Sequence, residues 1–369
     1  MAGTEISTLR IAQALRGPDF QHIAFCSTEG GAVESFFRAT GFPTAIYRPV
    51  DLSYRKPGPF LNASFDLART FRRHRVDLVH CSDLMAGLRA APAARLARLP
   101  VVCHIRNPHP DVGHHDRPLL RAVNRFIFVS RHAWQSFSYP VPVDRGSLVY
   151  DGIERSAIDR EVARQRLQAQ FALPPDTKLV GMVGRLAAQK DYPTLIRAAA
   201  RVLSVYPNVR FLVVGDHTTT EDFRQHYRVL VQLVAQLRIE PSVIFAGFRD
   251  DVAHVVSALD ISVLATHFEG FGLVLVEAMA QGTPVIATAV GGITEIIADE
   301  ETGLLHEHAD DADLAAKILT LLSNDTLAQQ LGLAGQRFVE ERFSMNRFAT
   351  GIAQLYRRML AMGHPSHGT

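Results

Sequence analysis

The feature that most constrains the fold of this chain is a regular alternation of two kinds of segment. Short runs rich in apolar and β-branched residues, such as residues 179–184 and 209–215, alternate with longer amphipathic segments. Runs that are apolar almost throughout are typical of strands covered on both faces. Strands that alternate with helices form parallel sheets through right-handed crossovers. The sequence therefore predicts an α/β fold built on parallel sheets.

The predicted elements fall into two sets of similar size. Strands are expected in the first half at residues 22–26, 77–81, 100–105, 125–130 and 147–150, and in the second half at 179–184, 209–215, 243–246, 261–265, 284–288 and 303–305. Predicted helices include residues 6–15, 185–204, 311–323 and 345–360. Because a domain holds about 150 residues, a chain of 369 residues has room for two such units.

The predicted boundary between the units is the turn Asp151-Gly152-Ile153, which follows a strand. The first domain then covers residues 1–153, the second 154–344, and a final helix over 345–362 packs back onto the first domain. The first domain opens with Gly3-Thr4-Glu5 and a helical pattern, so it lacks the strand that normally begins a doubly wound domain. A strand from a partner chain, or a misassigned start codon, would account for this.

Composition excludes several classes of protein. No apolar run is long enough to cross a membrane, and the N-terminus lacks the pattern of a signal peptide. The three cysteines lie in strand-like runs without metal-site spacing, which favours buried free thiols in a reducing cytoplasm. Residues 1–155 hold 20 basic and 13 acidic residues, against 19 and 24 in the remainder. The basic half suits a phosphate-bearing acceptor or an anionic membrane surface, with no sign of nucleic-acid binding.

The densest motif is residues 266–280, THFEGFGLVLVEAMA. A predicted strand ends in a glycine-bearing turn, and a helix begins near Gly272, whose N-terminus favours a phosphate group. Glu269 lies in this turn, at the carboxyl end of the strand, where open α/β sheets bind ligands. Glu277 lies eight residues further, and its carboxylate is suited to accept hydrogen bonds from the two vicinal hydroxyls of a ribose.

Two further strand ends carry suitable residues. Gly184-Arg185-Leu186 follows the strand at 179–184, and Lys190 lies five residues after Arg185. A guanidinium and an ammonium group at one strand end can both bind the oxygens of a diphosphate. Such fixed charges can neutralise a leaving diphosphate without a metal ion. A glycine-rich turn, Ala289-Val290-Gly291-Gly292, follows the strand at 284–288.

These elements, in this order, resemble glycosyltransferase family 4, whose members have the two-domain GT-B fold. The resemblance implies two Rossmann-like doubly wound domains that face a cleft, with the first strand of the N-terminal domain absent here. It implies that Arg185 and Lys190 grip the donor diphosphate and that Glu277 holds the ribose. Glu269 would hold the transferred sugar, assisted by the backbone of Phe271, Gly272 and Leu273. Arg249, in Gly247-Phe248-Arg249, lies where the family packs the nucleobase.

The first half resembles the family more loosely. Gly3 and Thr4 fall on a glycine-rich loop that borders the donor. The segment Pro100–Arg106 resembles a strand whose end carries an active-site histidine, and the alignment leaves two candidates, His104 and Arg106. Either could contact the primary hydroxyl of the sugar, while a partly buried strand histidine is the alternative for His104. Asp151 in Tyr150-Asp151-Gly152 replaces the asparagine common in this turn.

The resemblance implies a retaining glycosyltransferase that needs no metal or other cofactor. Its donor would be a nucleotide sugar, with UDP or GDP favoured and a hexose transferred. The acceptor would be a saccharide or a lipid-linked molecule, which indicates polysaccharide or glycolipid synthesis in the cytoplasm or at the inner membrane face. The sequence does not indicate an oligomeric state. The alternatives are a sugar-nucleotide epimerase, a phosphorylase, and a non-catalytic protein that binds nucleotide sugars.

Overall fold

A computed structural model describes residues 3–27 and 31–363 of the chain. The chain divides into two compact units, one formed by residues 1–152 with 345–369 and the other by residues 153–344. The predicted boundary after residue 153 lies one residue from this division. Each unit consists of parallel strands connected by helices.

The N-terminal unit contains six strands: β1 (Ala24–Ser27), β2 (Thr44–Tyr47), β3 (Val79–Cys81), β4 (Val101–Ile105), β5 (Arg125–Phe128) and β6 (Gly146–Leu148). Its first six helices are α1 (Gly3–Ala14), α2 (Gly31–Ala39), α3 (Gly58–Arg73), α4 (Leu84–Ala97), α5 (Arg117–Leu120) and α6 (Arg131–Gln135). The sequence had not predicted β2, which has only four residues and one buried side chain.

The strands of this unit form two parallel sheets, β1-β2 and β3-β4-β5-β6. Helix α1 packs against both, since Ala24 of β1 packs against the apolar cluster that contains Leu9, and Ile11 belongs to a cluster with Val102 of β4. Within the described residues no strand pairs with both β1 and β3.

The C-terminal unit contains β7 (Lys178–Val183), β8 (Val209–Val214), β9 (Val243–Gly247), β10 (Ile261–Leu264), β11 (Val285–Thr288) and β12 (Leu304–His306). Its helices are α7 (Arg160–Gln170), α8 (Tyr192–Leu203), α9 (Glu221–Leu237), α10 (Val252–Ala258), α11 (Leu273–Ala280), α12 (Asp311–Ser323) and α13 (Asp325–Arg342). The chain then continues into α14 (Met345–Gly363), which belongs to the N-terminal unit.

The six strands of the C-terminal unit form one parallel sheet in the order β12-β11-β10-β7-β8-β9. All residues of β10 and β11 are buried, as expected for central strands covered by helices on both faces. The chain winds outward from β7 through β8 to β9, and from β10 through β11 to β12. The direction therefore reverses between β7 and β10, which makes this pair the switch point of the sheet.

Helix α14 packs within the N-terminal unit. Phe348 and Ile352 are buried in the same cluster as Ile11 of α1 and Val102 of β4. The three cysteines, Cys26, Cys81 and Cys103, are buried and free. Among the helices of the described residues, none combines the length and the apolar character that crossing a bilayer requires.

Candidate functional site

The loops that follow β7 and β10 meet at the switch point of the C-terminal sheet. Residues 184–191 follow β7 and residues 265–272 follow β10. The amide N–H of His267 donates to the carbonyl of Gln189 at 2.9 Å, and that of Asp191 donates to Ala265 at 3.0 Å. These bonds hold the two loops in a fixed register. Two loops at a switch point make the crevice in which open α/β sheets bind ligands.

The loop after β7 is longer than the sequence predicted. Helix α8 begins at Tyr192, whereas the prediction began a helix at residue 185. Asp191 caps the helix by accepting a hydrogen bond from the amide of Thr194, which satisfies one of the free donors of the first turn. Arg185 and Lys190 therefore lie in the loop at the end of β7, where both can reach a ligand.

Lys190 and Glu269 form an ion pair across the two loops. The Nζ of Lys190 contacts Oε2 of Glu269, and the two side chains are only 13 % and 14 % exposed. The side chain of Lys190 passes over Gly184, since a Cβ added to Gly184 would lie 3.6 Å from Lys190 Cε. The pair thus connects the diphosphate and sugar elements that the sequence predicted separately.

The glycine-rich turn after β11 supports the backbone of the Glu269 turn. The amide of Gly292 donates to the carbonyl of Glu269 at 3.0 Å. A Cβ on Gly292 would lie 2.1 Å from the carbonyl oxygen of Gly270, so only glycine allows this approach. The glycine-rich turn at residues 289–292 therefore packs directly against the turn that carries Glu269 and supports its backbone.

Helix α11 starts directly beside Glu269. Gly272 caps it at φ +100°, and a Cβ on Gly272 would lie 3.6 Å from Glu269 Cγ. Its first N–H groups have no acceptor within the helix, and they carry partial positive charge. Glu277 is partly exposed and lies about one turn into α11.

The other residues predicted to bind the sugar donor differ in exposure. Arg185 is exposed, and within the described residues no carboxylate lies within the ion-pair distance of its guanidinium. Phe271 is buried and packs edge-on against Phe343, so only its backbone can serve a ligand. Leu273 is the first residue of α11. The guanidinium of Arg185 is therefore available to an anionic ligand.

Arg249 makes contacts that the sequence did not indicate. Its Nε and Nη2 donate to the two carboxylate oxygens of Asp251 at 2.7 and 2.6 Å, and its Nη1 donates to Gln170. The pKa of Asp251 is lowered by this hydrogen-bonded contact. The guanidinium is thus already engaged, while the neighbouring Phe248 is 62 % exposed and offers an aromatic face.

In the N-terminal unit, Arg106 forms a buried ion pair with Asp151. Its Nη1 donates to both carboxylate oxygens at 2.9 and 2.6 Å, and both side chains are less than 8 % exposed. Ser7 of α1 adds a hydrogen bond to Asp151 at 2.7 Å. The sequence noted Asp151 only as a turn residue, because nothing in its spacing linked it to a residue 45 positions earlier. The ion pair fixes the end of β4 to the turn that follows β6 and contains Asp151.

His104 lies on β4 beside Arg106 and is completely buried. Its Nδ1 lies 3.2 Å from Nη2 of Arg106, and its ring has no exposed surface. Its Nε2 has no hydrogen-bond partner in the described part of the chain. Burial, with the nearby Arg106 charge, holds the pKa of His104 well below its usual value. In this arrangement His104 is a neutral residue that positions Arg106.

Gly3 and Thr4 lie in the first turn of α1, not in a loop that precedes it. The carbonyl of Thr4 accepts a hydrogen bond from the hydroxyl of Thr8 at 2.8 Å. Across residues 3–27 and 31–363, no group of three or more His, Cys, Asp or Glu side chains is arranged to hold a metal ion.

The fold defines the class of the protein. The Anabaena protein HepE, solved with UDP and glucose, superposes with a TM-score of 0.83 over 96 % of each chain at 23 % identity. A glycosyltransferase from Rickettsia africae superposes with a TM-score of 0.84 over 97 % of this chain and 95 % of that one, at 19 % identity. The protein therefore has the GT-B fold of glycosyltransferases.

Two family models match the sequence. Residues 1–156 match Glycosyltransferase Family 4, and residues 163–338 match Glycosyl transferases group 1. The chain belongs to the family-4 type of glycosyltransferases. The family predicted from the motifs at residues 184–190 and 266–280 is confirmed.

Curated relatives share part of their length with this chain. The D-inositol 3-phosphate glycosyltransferase of Mycolicibacterium smegmatis is 36 % identical over 261 residues, which is 69 % of this chain and 56 % of that protein. The N-acetyl-alpha-D-glucosaminyl L-malate synthase of Bacillus anthracis is 30 % identical over 209 residues, 56 % of this chain and 52 % of that protein. The matched segments thus span about half the length of these relatives.

Proposed function

We propose that the protein transfers a hexose-type sugar from a nucleoside-diphosphate donor, UDP or GDP, to a saccharide or lipid-linked acceptor. The proposal includes retention of the anomeric configuration and independence from metal ions. It rests on one observation, the Lys190–Glu269 pair beside the N-terminus of α11 at the switch point. A cation, a carboxylate and a helix N-terminus in contact suit a sugar bound through a diphosphate.

Each residue of the constellation has a role in this proposal. Arg185 and Lys190 bind the diphosphate, and the N–H groups of residues 271–273 bind its distal phosphate. Glu277 accepts hydrogen bonds from the ribose, and Glu269 accepts them from the transferred sugar. Because Lys190 already contacts Glu269, it also orients that carboxylate toward the sugar.

The chemical step breaks the bond between the anomeric carbon and the diphosphate oxygen and forms a bond from that carbon to an acceptor oxygen. The proton of the acceptor hydroxyl passes to the leaving diphosphate. Negative charge builds up on the diphosphate in the transition state, where fixed cations lower the barrier most effectively. Arg106 and His104 support the reaction by fixing the end of β4, since their side chains are almost completely buried.

The comparisons support the donor class. HepE binds UDP, and a further structure of it holds UDP-glucose. The names of the curated relatives describe sugar transfer to small hydroxylated acceptors, malate and inositol phosphate. The excess of basic residues before residue 155 supports a phosphate-bearing acceptor or peripheral contact with an anionic membrane in the cytoplasm.

A thermal-shift screen tests the donor site. UDP, GDP and ADP are added in turn, with and without a chelator, to the wild-type protein and to Arg185→Ala and Glu277→Ala. A ligand at 100 times its Kd stabilises by about 2.7 kcal/mol, which raises Tm by about 5–10 °C in a unit of this size. We expect this shift with one nucleotide, unchanged by chelator, and at least a tenfold higher Kd in both variants.

Arg166→Ala is the matched control, because Arg166 is exposed on α7 in the same unit. It should bind like the wild-type protein. No shift with any of the nucleotides would contradict the proposal. Turnover of the labelled sugar nucleotide then separates an enzyme from a protein that only binds the donor.

A further inference from the structure

An arginine-lined cavity lies at the amino ends of the strands in the N-terminal unit. Its volume is about 440 Å³, within the range of small-molecule sites. It is bordered by the amino ends of three parallel strands: residues 98–100 before β4, residues 124–125 at the start of β5, and residues 144–145 before β6. His104 and Arg106 lie at the opposite end of β4, about 13 Å away at 3.3 Å per residue. The cavity is therefore separate from the carboxyl edge of the sheet.

The charge of this cavity is strongly positive. Its lining holds five arginines and one acidic residue, Asp144. In the part of the chain that the structure describes, no carboxylate lies within 4.0 Å of any of the five guanidinium groups. The arginines are Arg95, Arg98, Arg121, Arg125 and Arg145. Concentrating like charges around one cavity is unfavourable unless an anion is bound there.

Part of this lining is held rigidly. Arg145 donates from Nη2 to the carbonyls of Leu120, at 3.3 Å, and Val123. Its guanidinium also lies 5.7 Å from the ring centre of Phe126, and its Nε is buried without a partner in the described residues. Asn124 is fixed as well, because its Oδ1 accepts a hydrogen bond from the amide of Val101. A preorganised cation loses little entropy on binding.

Favourable contact with helix C-termini explains only part of the cluster. Arg95 lies in the last turn of α4 and Arg121 follows α5, so both complement a helix dipole. Arg125, however, opens β5, and Arg145 lies just before β6. Arg145 nevertheless donates to the carbonyl of Leu120, the last residue of α5, so it also contacts a helix C-terminus. The position of Arg125 on a strand is not explained in this way. Five cations around one cavity, without a carboxylate in ion-pair contact among the described residues, favour a ligand of opposite charge.

We infer that this cavity binds a ligand with two or more phosphate groups, at a site distinct from the proposed donor site. Guanidinium groups match phosphate oxygens with paired hydrogen bonds. Five of them around about 440 Å³ exceed what one phosphate group can engage. Leu99, Pro100 and Met359 also line the cavity and provide apolar contact for the carbon portion of an organic phosphate.

Isothermal titration with sodium tripolyphosphate tests this site. The proteins are the wild type, Arg95→Ala/Arg121→Ala, and the control Arg166→Ala/Arg197→Ala, which removes two exposed helical arginines of the other unit. We expect at least a tenfold higher Kd in the first pair and no change in the control. The affinity should fall as salt is added. Arg185→Ala should keep this binding event, which separates it from the donor site.

Two results would overturn the inference. One is equal affinity in both double variants. The other is binding only to vesicles with 30 % phosphatidylglycerol, with no heat from tripolyphosphate, which would identify a membrane-contact surface instead. Either result would leave the nucleotide screen of the donor site unaffected.

Discussion

The ion pair between Lys190 and Glu269 makes a quantitative prediction about stability. Two unit charges about 3 Å apart attract by about 5.5 kcal/mol at an effective dielectric constant of about 20. Desolvation of side chains that are only 13 % and 14 % exposed offsets part of this. We therefore expect a coupling free energy of about 2–3 kcal/mol between Lys190 and Glu269. An exposed ion pair typically gives only about 0.2–1 kcal/mol.

A double-mutant cycle measures this coupling. Lys190→Met and Glu269→Gln should each lower the free energy of unfolding by about 3 kcal/mol, since each leaves its partner without a counter-ion. The double variant should lose about as much as one single variant. Urea unfolding followed by circular dichroism gives the four free energies, provided that the m-value stays constant.

The exposed pair Arg224–Glu221 supplies a control in the same unit, with side chains 45 % and 64 % exposed. Its cycle should give about 0.3–0.5 kcal/mol. Additive losses at Lys190 and Glu269, with a coupling below about 0.5 kcal/mol, would refute the reasoning. They would mean that solvent screens the two charges and that Lys190 does not orient Glu269.

Two further predictions concern other parts of the protein. Burial lowers the pKa of His80 to about 3 and that of His104 well below 6.5, so below pH 6.5 the unfolded state binds more protons. Stability should therefore decrease as the pH is lowered below 6.5, and each such histidine contributes about 1.4 kcal/mol per pH unit while only the unfolded state is protonated. His104→Gln should reduce the slope by about one such contribution in urea titrations between about pH 5.5 and 4.5. An unchanged slope would contradict the assignment. Gly292→Ala places a Cβ 2.1 Å from the Gly270 carbonyl oxygen and should destabilise by about 1–3 kcal/mol and weaken nucleotide binding. Gly17→Ala is its control, because a Cβ added there has no atom within 4 Å. Equal Tm and Kd in the two variants would contradict a supporting role for Gly292.

The positions of most strands and the family could be predicted because they depend on local signals. A buried strand needs a continuous apolar run, and helix α12 is bounded by residues 311 and 323 as predicted, with its cap Asp310 adjacent in sequence. The prediction failed where the local signal was weak or misleading. Strand β2 has four residues with one buried, and residues 185–191 continue a helical pattern although they form a loop.

The contacts of the candidate site could not be predicted in the same way. Lys190 and Glu269 are 79 positions apart, and Arg106 and Asp151 are 45 apart. Whether such residues meet depends on strand order and register, which no local pattern specifies. Sequence alone determined which side chains follow the strands and what chemistry they suit. The tertiary structure decided which of them pair, because placing β7 beside β10 brings their two loops together and buries both charges.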